Sequence, residues 1–381
     1  MIIFHLITSL DKGGAESHLY SLIKKQVQNK LSVYVFYLRG NDYWKKHLNK
    51  MGVKVFKLNV HSNFDFIGLL NAFYSLCVNI KKINPKVVHA HLSTMELLAA
   101  FLKLIFNNRF KFIVTKHLDS FFLEASFGRK NIFRGIFIDK FIIYQADKII
   151  CISNQVKKYF YEKINDKNKY TTIYYGFSNK DFLNSVNIKN KLKILRKKYN
   201  LSENEVVLLN VARHVKQKSL EILLKAFSIY LKKRKNAKLI LVGHGRETNN
   251  LKKLAIELKI NDKICWINNY EKIKDIFLLS NTFVLPSEYE GLGLVLLEAM
   301  SSRTPIIASK SSAIPEVIKN NFNGYLFKKN NFKNLAQKLF LIENKKTQEK
   351  FKKNGIIFLK EKFSLDKMNK MTTKIYNLPL K

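Results

Sequence analysis

A chain of 381 residues exceeds one ordinary domain and suits two. Apolar residues make up 47% of it, enough to bury two cores, which excludes a disordered chain. A formal net charge of +40 directs attention to anionic partners: phosphates, nucleic acid or anionic lipid.

Short apolar runs alternate with longer amphipathic ones along the chain. "IIFHLI" reads as a strand and "AESHLYSLIKKQVQN" behind it as a helix. "SVYVFYL", "KVVHAHL", "KFIVTKH", "DKIICIS" and "YTTIYYG" continue a first series of strands. Charged text without a strong strand follows from about Asn179 to Asn204, read as a link. A second series then begins: "EVVLLNVA", "AKLILVG", "KICWI", "NTFVLP" and "TPIIAS", each trailed by a helical pattern. Alternation of this kind predicts parallel βαβ units, hence an α/β chain of two doubly wound domains facing across a cleft, over 1–180 and 190–362. In the segment 363–381, Phe363, Met368, Met371 and Ile375 recur at helical spacing, so this end is expected to pack back on the first domain.

The N-terminal "MIIFHLITSLDKGGAE" lacks a basic leader and a small-residue cleavage site and does not read as a signal peptide. No uninterrupted apolar run is read as reaching membrane-spanning length. Cys77, Cys151 and Cys265 are expected to be buried thiols of a reducing compartment.

In open α/β sheets ligands bind beyond the carboxyl ends of the strands, and the chemical motifs fall there. After the first strand, Gly13 and Gly14 open a helix whose free N–H groups suit an anion. In "NVARHVKQKSLEI", Arg213 and Lys218 pair a fork with a point charge and suit a diphosphate. Gly243 and Gly245 of "LILVGHGRE" lack a third glycine and read as a tight turn. "SEYEGLGLVLLEAM" places Glu290 in a loop and Glu298 on the helix behind it, with Gly291, Leu292, Gly293 and Leu294 between. Carboxylates accept hydrogen bonds from paired sugar hydroxyls, and helix-opening amides meet phosphate. Together these groups suit a nucleotide diphosphate sugar. The pair His89 and His91 in "VVHAHL" is read as facing opposite sides of its strand, hence unable to hold one metal, and no Asp-x-Asp pair occurs.

Nearly the whole chain resembles the GT-B-fold retaining glycosyltransferases, family 4 in particular. "EGLGLVLLEAM" resembles that family's E-x7-E element, "ARHVKQK" its diphosphate clamp, "GGAE" its donor-phosphate loop and "VTKHL" its "TxHD" segment. The resemblance implies a hexosyltransferase without metal or other cofactor. It implies Glu290, His117, Arg213 and Lys218 as catalytic residues. The donor would be held by Gly14, Glu298, Gly291, Leu292, Gly293 and Leu294. Several positions depart from the pattern: Tyr174–Ser178 replaces "NGVD", Ser312 and Ala313 replace a glycine pair, and Arg303 and Asn268 replace single glycines. Two other functions stand beside this one: a sugar-nucleotide epimerase of the same fold and a basic nucleic-acid binder. Against the second, Lys is spread along the chain and no nucleic-acid motif appears, so no nucleic-acid partner is expected.

Two stretches, "FLKLIFNNRFKF" and "FGRKNIFRGIFIDKFIIY", interleave basic residues with Phe and Ile. In the second, Ile132, Phe133, Ile136, Phe137, Lys140 and Phe141 are expected to form an apolar stripe flanked by Arg129, Lys130 and Arg134. The expectation is a cytoplasmic enzyme bound peripherally to the inner face of the membrane, extending a glycan or lipid-linked acceptor.

Overall fold

The computed structural model describes residues 1–61, 65–118, 132–164, 166, 168–177, 188–268 and 273–377. Two compact units divide the chain: Met1–Phe177 together with Phe363–Lys381, and Ser178–Lys362.

The first unit is built on seven strands: β1 (Ile2–Ser9), β2 (Ser32–Arg39), β3 (Lys54–Lys57), β4 (Val87–His91), β5 (Lys111–Lys116), β6 (Lys148–Cys151) and β7 (Tyr170–Thr172). Their order is β3-β2-β1-β4-β5-β6-β7 and all pairings are parallel. Every residue of β4 and β5 is buried, as helices on both faces of a parallel sheet require. The second unit holds β8 (Val206–Val211), β9 (Ala237–Val242), β10 (Ile264–Ile267), β11 (Thr282–Leu285), β12 (Ile306–Ser309) and β13 (Tyr325–Phe327), again all parallel, in the order β10-β9-β8-β11-β12-β13. Both units are doubly wound and Rossmann-like. The order reverses between β1 and β4 in one sheet and between β8 and β11 in the other, and these switch points are where such folds bind ligands.

Two strands escaped the sequence pattern. β3 and β13 are edge strands of four and three residues that bury little: none of β3 and only Phe327 of β13 is fully buried. The stretch read as a link contains a helix, Ile188–Lys198, packed on helix Ile273–Leu279 and tied to it by Lys191 and Asp275 at 2.6 Å. Its lysines hid it, because the apolar stripe is only partly buried. Of the cysteines, Cys151 is buried, whereas Cys77 and Cys265 are partly exposed; all three are free.

The helix Leu365–Tyr376 belongs to the first unit. Ser364 caps it through Lys367 N–H, and Met368, Ile375 and Tyr376 join Ile3, Val87 and Ile113 in one core. Gly176 permits the approach, since a Cβ there would lie 2.7 Å from Leu365 Cα. The amine of Lys111 donates to the carbonyls of Ile375 and Tyr376 at 3.2 and 3.3 Å, closing the end of this helix.

Helix Phe66–Ile83 is long and apolar enough to cross a membrane by length and composition only, and Asn71, Asn79, Lys81 and Lys82 interrupt its apolar run, in line with the expectation about uninterrupted runs. Only Ala72, Leu76 and Ile80, one narrow stripe, are buried. Phe66, Ile67, Leu70, Tyr74 and Val78 are exposed.

Candidate active site

In the second unit the candidate residues gather at the β8/β11 switch point. β8 ends at Val211, and the chain behind it carries Arg213, whose side chain is exposed. Lys218 closes a 3-10 turn, Lys216–Lys218, ahead of helix Leu220–Leu231. Gly243 and Gly245 follow β9 and press on this loop: added Cβ atoms would meet Ala212 O and His214 O. Their role is close backbone approach, in line with the sequence reading of a turn.

β11 ends at Leu285, and the loop behind it folds Glu290 inward. Glu290 Oε1 accepts from Lys218 Nζ at 2.6 Å and from Ser287 Oγ at 2.7 Å. Three serines of the next strand and loop pin the same segment by its carbonyls: Ser309 on Ser287, Ser311 on Glu288 and Ser312 on Glu290. Gly293, in the left-handed region at φ 85°, stops the loop and starts helix Leu294–Ser301. Gly291 and Leu292 are buried, and Leu294 is partly exposed. Glu298 is the fifth residue of this short helix, little more than one turn past its start. Desolvation raises its carboxyl to about 7, and among the described residues no side chain or amide pairs with it. Glu290 is thus held by neighbours, and Glu298 is left without any.

Two positions where the resemblance implies glycine have a glycine-like backbone. Arg303 and Ser312 stand at φ 55° and 46°, the left-handed region that favours glycine. Ser312 offsets part of the roughly 1–2 kcal/mol this costs through its hydroxyl on Glu290 O, at 2.9 Å. Asn268 precedes 269–272, which lie outside the described residues, as does Ser178 of the "NGVD" replacement.

In the first unit, Gly14 opens helix Gly14–Gln28, and a Cβ on it would meet nothing within 4 Å. His117, just past β5, is buried. It terminates a chain of imidazoles that sequence reading missed. His89 and His91 do not face opposite sides. Two positions apart on a strand means one face, and their rings lie 4.2 Å apart. His5 lies opposite His89 in the sheet register.

The proton order of this chain is fixed at one end. Gln26 Nε2 donates to Tyr376 Oη at 3.2 Å, so its Oε1 accepts from His5 Nε2 at 2.9 Å. His5 Nδ1 then accepts from His91 Nε2 at 3.2 Å, and His91 Nδ1 accepts from His117 Nε2 at 3.2 Å. His117 Nδ1 accepts from the Tyr175 hydroxyl at 2.6 Å. Tyr376 donates to His89 Nδ1, and His89 Nε2 donates to Thr115 Oγ1, both at 2.7 Å. Each imidazole is neutral, donates once and accepts once. Burial lowers His5 to about 4; burial, helped by the Lys116 cation, lowers His117 to about 3. His5, His89 and His91 bring ligand atoms within 4.8 Å of one another, the one three-residue cluster of metal-ligand type among the described residues. All six of their ring nitrogens already have partners, so the cluster is satisfied without an ion. Beside His117, Lys116 lies buried between Glu96 and Asp139 at 2.5 Å each.

Residues 192–357 match the family described as Glycosyl transferases group 1, and residues 12–179 match Glycosyltransferase Family 4. A Methanocaldococcus jannaschii protein described as an uncharacterized glycosyltransferase is 30% identical over 382 residues, covering 96% of this chain and 94% of that protein. The chain belongs to the group 1 glycosyl transferases. This glycosyltransferase is also 29% identical over 246 residues to the N-acetyl-alpha-D-glucosaminyl L-malate synthase of Bacillus anthracis. That match takes in 64% of this chain and 61% of the relative's length. Among solved structures, an Anabaena protein crystallised with UDP and glucose superimposes with a TM-score of 0.84 at 19% identity, covering 99% of each chain. That likeness establishes the GT-B fold of this glycosyltransferase.

Proposed function

We propose that this transferase moves a hexose from a nucleotide diphosphate sugar, with retention at the anomeric carbon and without a metal ion, to a glycan or lipid-linked acceptor of cell-envelope synthesis. The observation that carries the donor reading is Glu298: an unpartnered, desolvated carboxylate eight residues after Glu290, at a sheet's switch point. Paired ribose hydroxyls supply the hydrogen bonds it lacks. Lys218 gives one of its three donors to Glu290, leaving two for the diphosphate, and the exposed Arg213 adds a fork. These cations take the part a metal plays elsewhere, stabilising charge on the departing diphosphate. The backbone behind Gly13 and the buried His117 serve the acceptor-bearing unit.

The transfer is a front-face displacement. The acceptor oxygen bonds to the anomeric carbon as the bond from that carbon to the phosphate oxygen breaks. The bonding pair leaves with the diphosphate, whose oxygen takes the acceptor's proton. Glu290 stands beside the transferred sugar.

Peripheral attachment to an anionic membrane is supported by the surface of the first unit. Helix Ser93–Phe106 packs against both Phe66–Ile83 and Ile132–Gln145, and these helices expose Tyr74, Phe101, Leu104, Ile105, Phe137 and Tyr144. Lys81, Lys82, Arg109 and Lys140 are exposed on the same helices and the adjoining turn. Each contributes about 1 kcal/mol near anionic headgroups. The expected stripe on Ile132–Gln145 divides: Phe137 and Lys140 are exposed, while Ile136 and Phe141 are half-buried. Arg129 and Lys130, and the side chains of Ile132, Phe133 and Arg134, lie outside the described residues.

A thermal-shift series with UDP-, GDP- and ADP-hexoses tests the donor reading, because a native-state ligand raises stability by mass action. One base class is expected to raise Tm, and no shift with any of them overturns it. Flotation with liposomes tests the membrane reading: binding to anionic but not neutral vesicles is expected, and equal, negligible binding to both at low salt refutes it.

A further inference from the structure

Five imidazoles crowd the floor of the first unit, and four of them have both ring nitrogens paired. His18 is the exception. It is 5% exposed, and its Nδ1 has no partner among the described residues. The rest of the ring is well placed. It stacks on Tyr175 with centroids 4.4 Å apart and an interplanar angle of 26°, and meets His117 edge-on at 5.6 Å. It also lies one turn along the helix that Gly14 opens. A buried polar atom without a partner destabilises the fold, and the same cluster satisfies every neighbouring nitrogen. Two hydrogen-bonding side chains in contact with the ring are already committed, Tyr175 to His117 and His117 to His91.

We propose that His18 is a sugar-binding residue whose Nδ1 pairs with a hydroxyl of the saccharide held by the first unit. This rests on the glycosyl-transfer reading above. The saccharide is either the acceptor or the hexose of the donor, and both present the same hydroxyl chemistry. The neighbouring chain supports the role. With His117 Nδ1 bound to Tyr175 and His117 Nε2 fixed as a donor to His91, His18 is the one member of the cluster with an open valence among the described residues.

Three substitutions separate binding from structure. His18→Phe keeps the stacked ring and removes both nitrogens. His18→Asn restores a polar atom near the Nδ1 position. His18→Gln places one nearer Nε2. The expected result is that His18→Phe has a Tm equal to or above wild type, since an unsatisfied buried atom is gone. KM for one saccharide rises at least tenfold, and affinity for the free nucleotide is unchanged. A rise confined to the acceptor assigns the hydroxyl to the acceptor. A rise confined to the nucleotide sugar, with faster or slower donor hydrolysis in the absence of acceptor, assigns it to the hexose. His18→Asn recovers affinity and His18→Gln does not. The inference is overturned if His18→Phe turns over with both KM values within twofold of wild type. It is equally overturned if His18→Phe loses Tm and all three variants lose activity in proportion to that loss. Absence of turnover in the wild type with every nucleotide sugar overturns the transferase reading instead, and is a different outcome.

Discussion

Lys218 Nζ lies 2.6 Å from Glu290 Oε1, and both side chains are largely withdrawn from water, at 14% and 10% exposure. Removing one member of such a pair leaves the other charge desolvated, at a cost of about 3–5 kcal/mol when burial is complete. Lys218→Met is therefore expected to lower unfolding stability by about 2–4 kcal/mol, with the double variant Lys218→Met/Glu290→Gln recovering at least half of it. Urea denaturation of the four members of this cycle measures it. Both single variants are also expected to lose turnover.

Glu298 responds in the opposite sense. Its carboxyl, raised by desolvation to about 7, favours the native state while protonated, and that contribution is lost as pH rises through 7. Glu298→Gln is expected to raise Tm relative to wild type at pH 8, with the gain vanishing below about pH 4.5. The same variant is expected to weaken nucleotide-sugar binding by roughly 1.5–3 kcal/mol, the value of charge-assisted hydrogen bonds. Calorimetric titration at pH 8 checks both the gain and the loss.

The buried imidazoles predict acid lability of the first unit. His5, His18, His89, His91 and His117 are all held below the ordinary histidine value by burial. Below about pH 6.5 the unfolded chain takes up protons that the native chain refuses, so stability falls with falling pH. The loss by pH 5 is about 2 kcal/mol per histidine. Glu96, raised to about 7 by burial, runs the other way and offsets about one of them. Circular dichroism against pH is expected to show cooperative loss of structure between pH 6 and 4. A flat signal down to pH 4 would show that the cluster is hydrated.

Gly176 makes a separate prediction. A Cβ there would collide with the backbone at Leu365, so Gly176→Ala is expected to undock helix Leu365–Tyr376 at a cost of about 2–4 kcal/mol. Hydrogen exchange should accelerate in this helix and at Lys111, whose amine caps it.

Metal independence predicts full turnover in excess EDTA. Loss of turnover with EDTA and its return with Mg²⁺ or Mn²⁺ would place an ion in the reaction and remove Arg213 and Lys218 from that role.

Much of the fold was legible, because buried strands such as β1, β4 and β8 carry largely apolar runs and each is followed by helical spacing. Edge strands β3 and β13 were not, since neither is a buried apolar run: β3 is bounded by Lys54 and Lys57 and stays half-exposed, and only Phe327 of β13 is buried. The acids of the second unit were legible because a glycine loop and a helix sit between them. What sequence could not show was their unequal state: Glu290 finds Lys218 from another strand's loop, 72 positions away, and Glu298 finds no one. The histidine chain was misread for a simpler reason. His89 and His91 share a face by the alternation of any strand, and that signal was present. His5, Gln26, His117 and Tyr376 join them only through sheet order and the returning helix, which spacing does not encode.

That returning helix ties folding to time. Tyr376 holds Gln26 and His89, yet almost two hundred residues of another unit are made between Phe177 and Phe363. At about 5–20 residues per second the first sheet waits about 10–40 s on the ribosome with its floor open and His89 Nδ1 lacking the Tyr376 hydroxyl. During that interval the second unit has all its own strands and can mature first. The unit begun earliest is the one completed last, so a stalled or truncated chain should leave a finished second unit attached to an unfinished first.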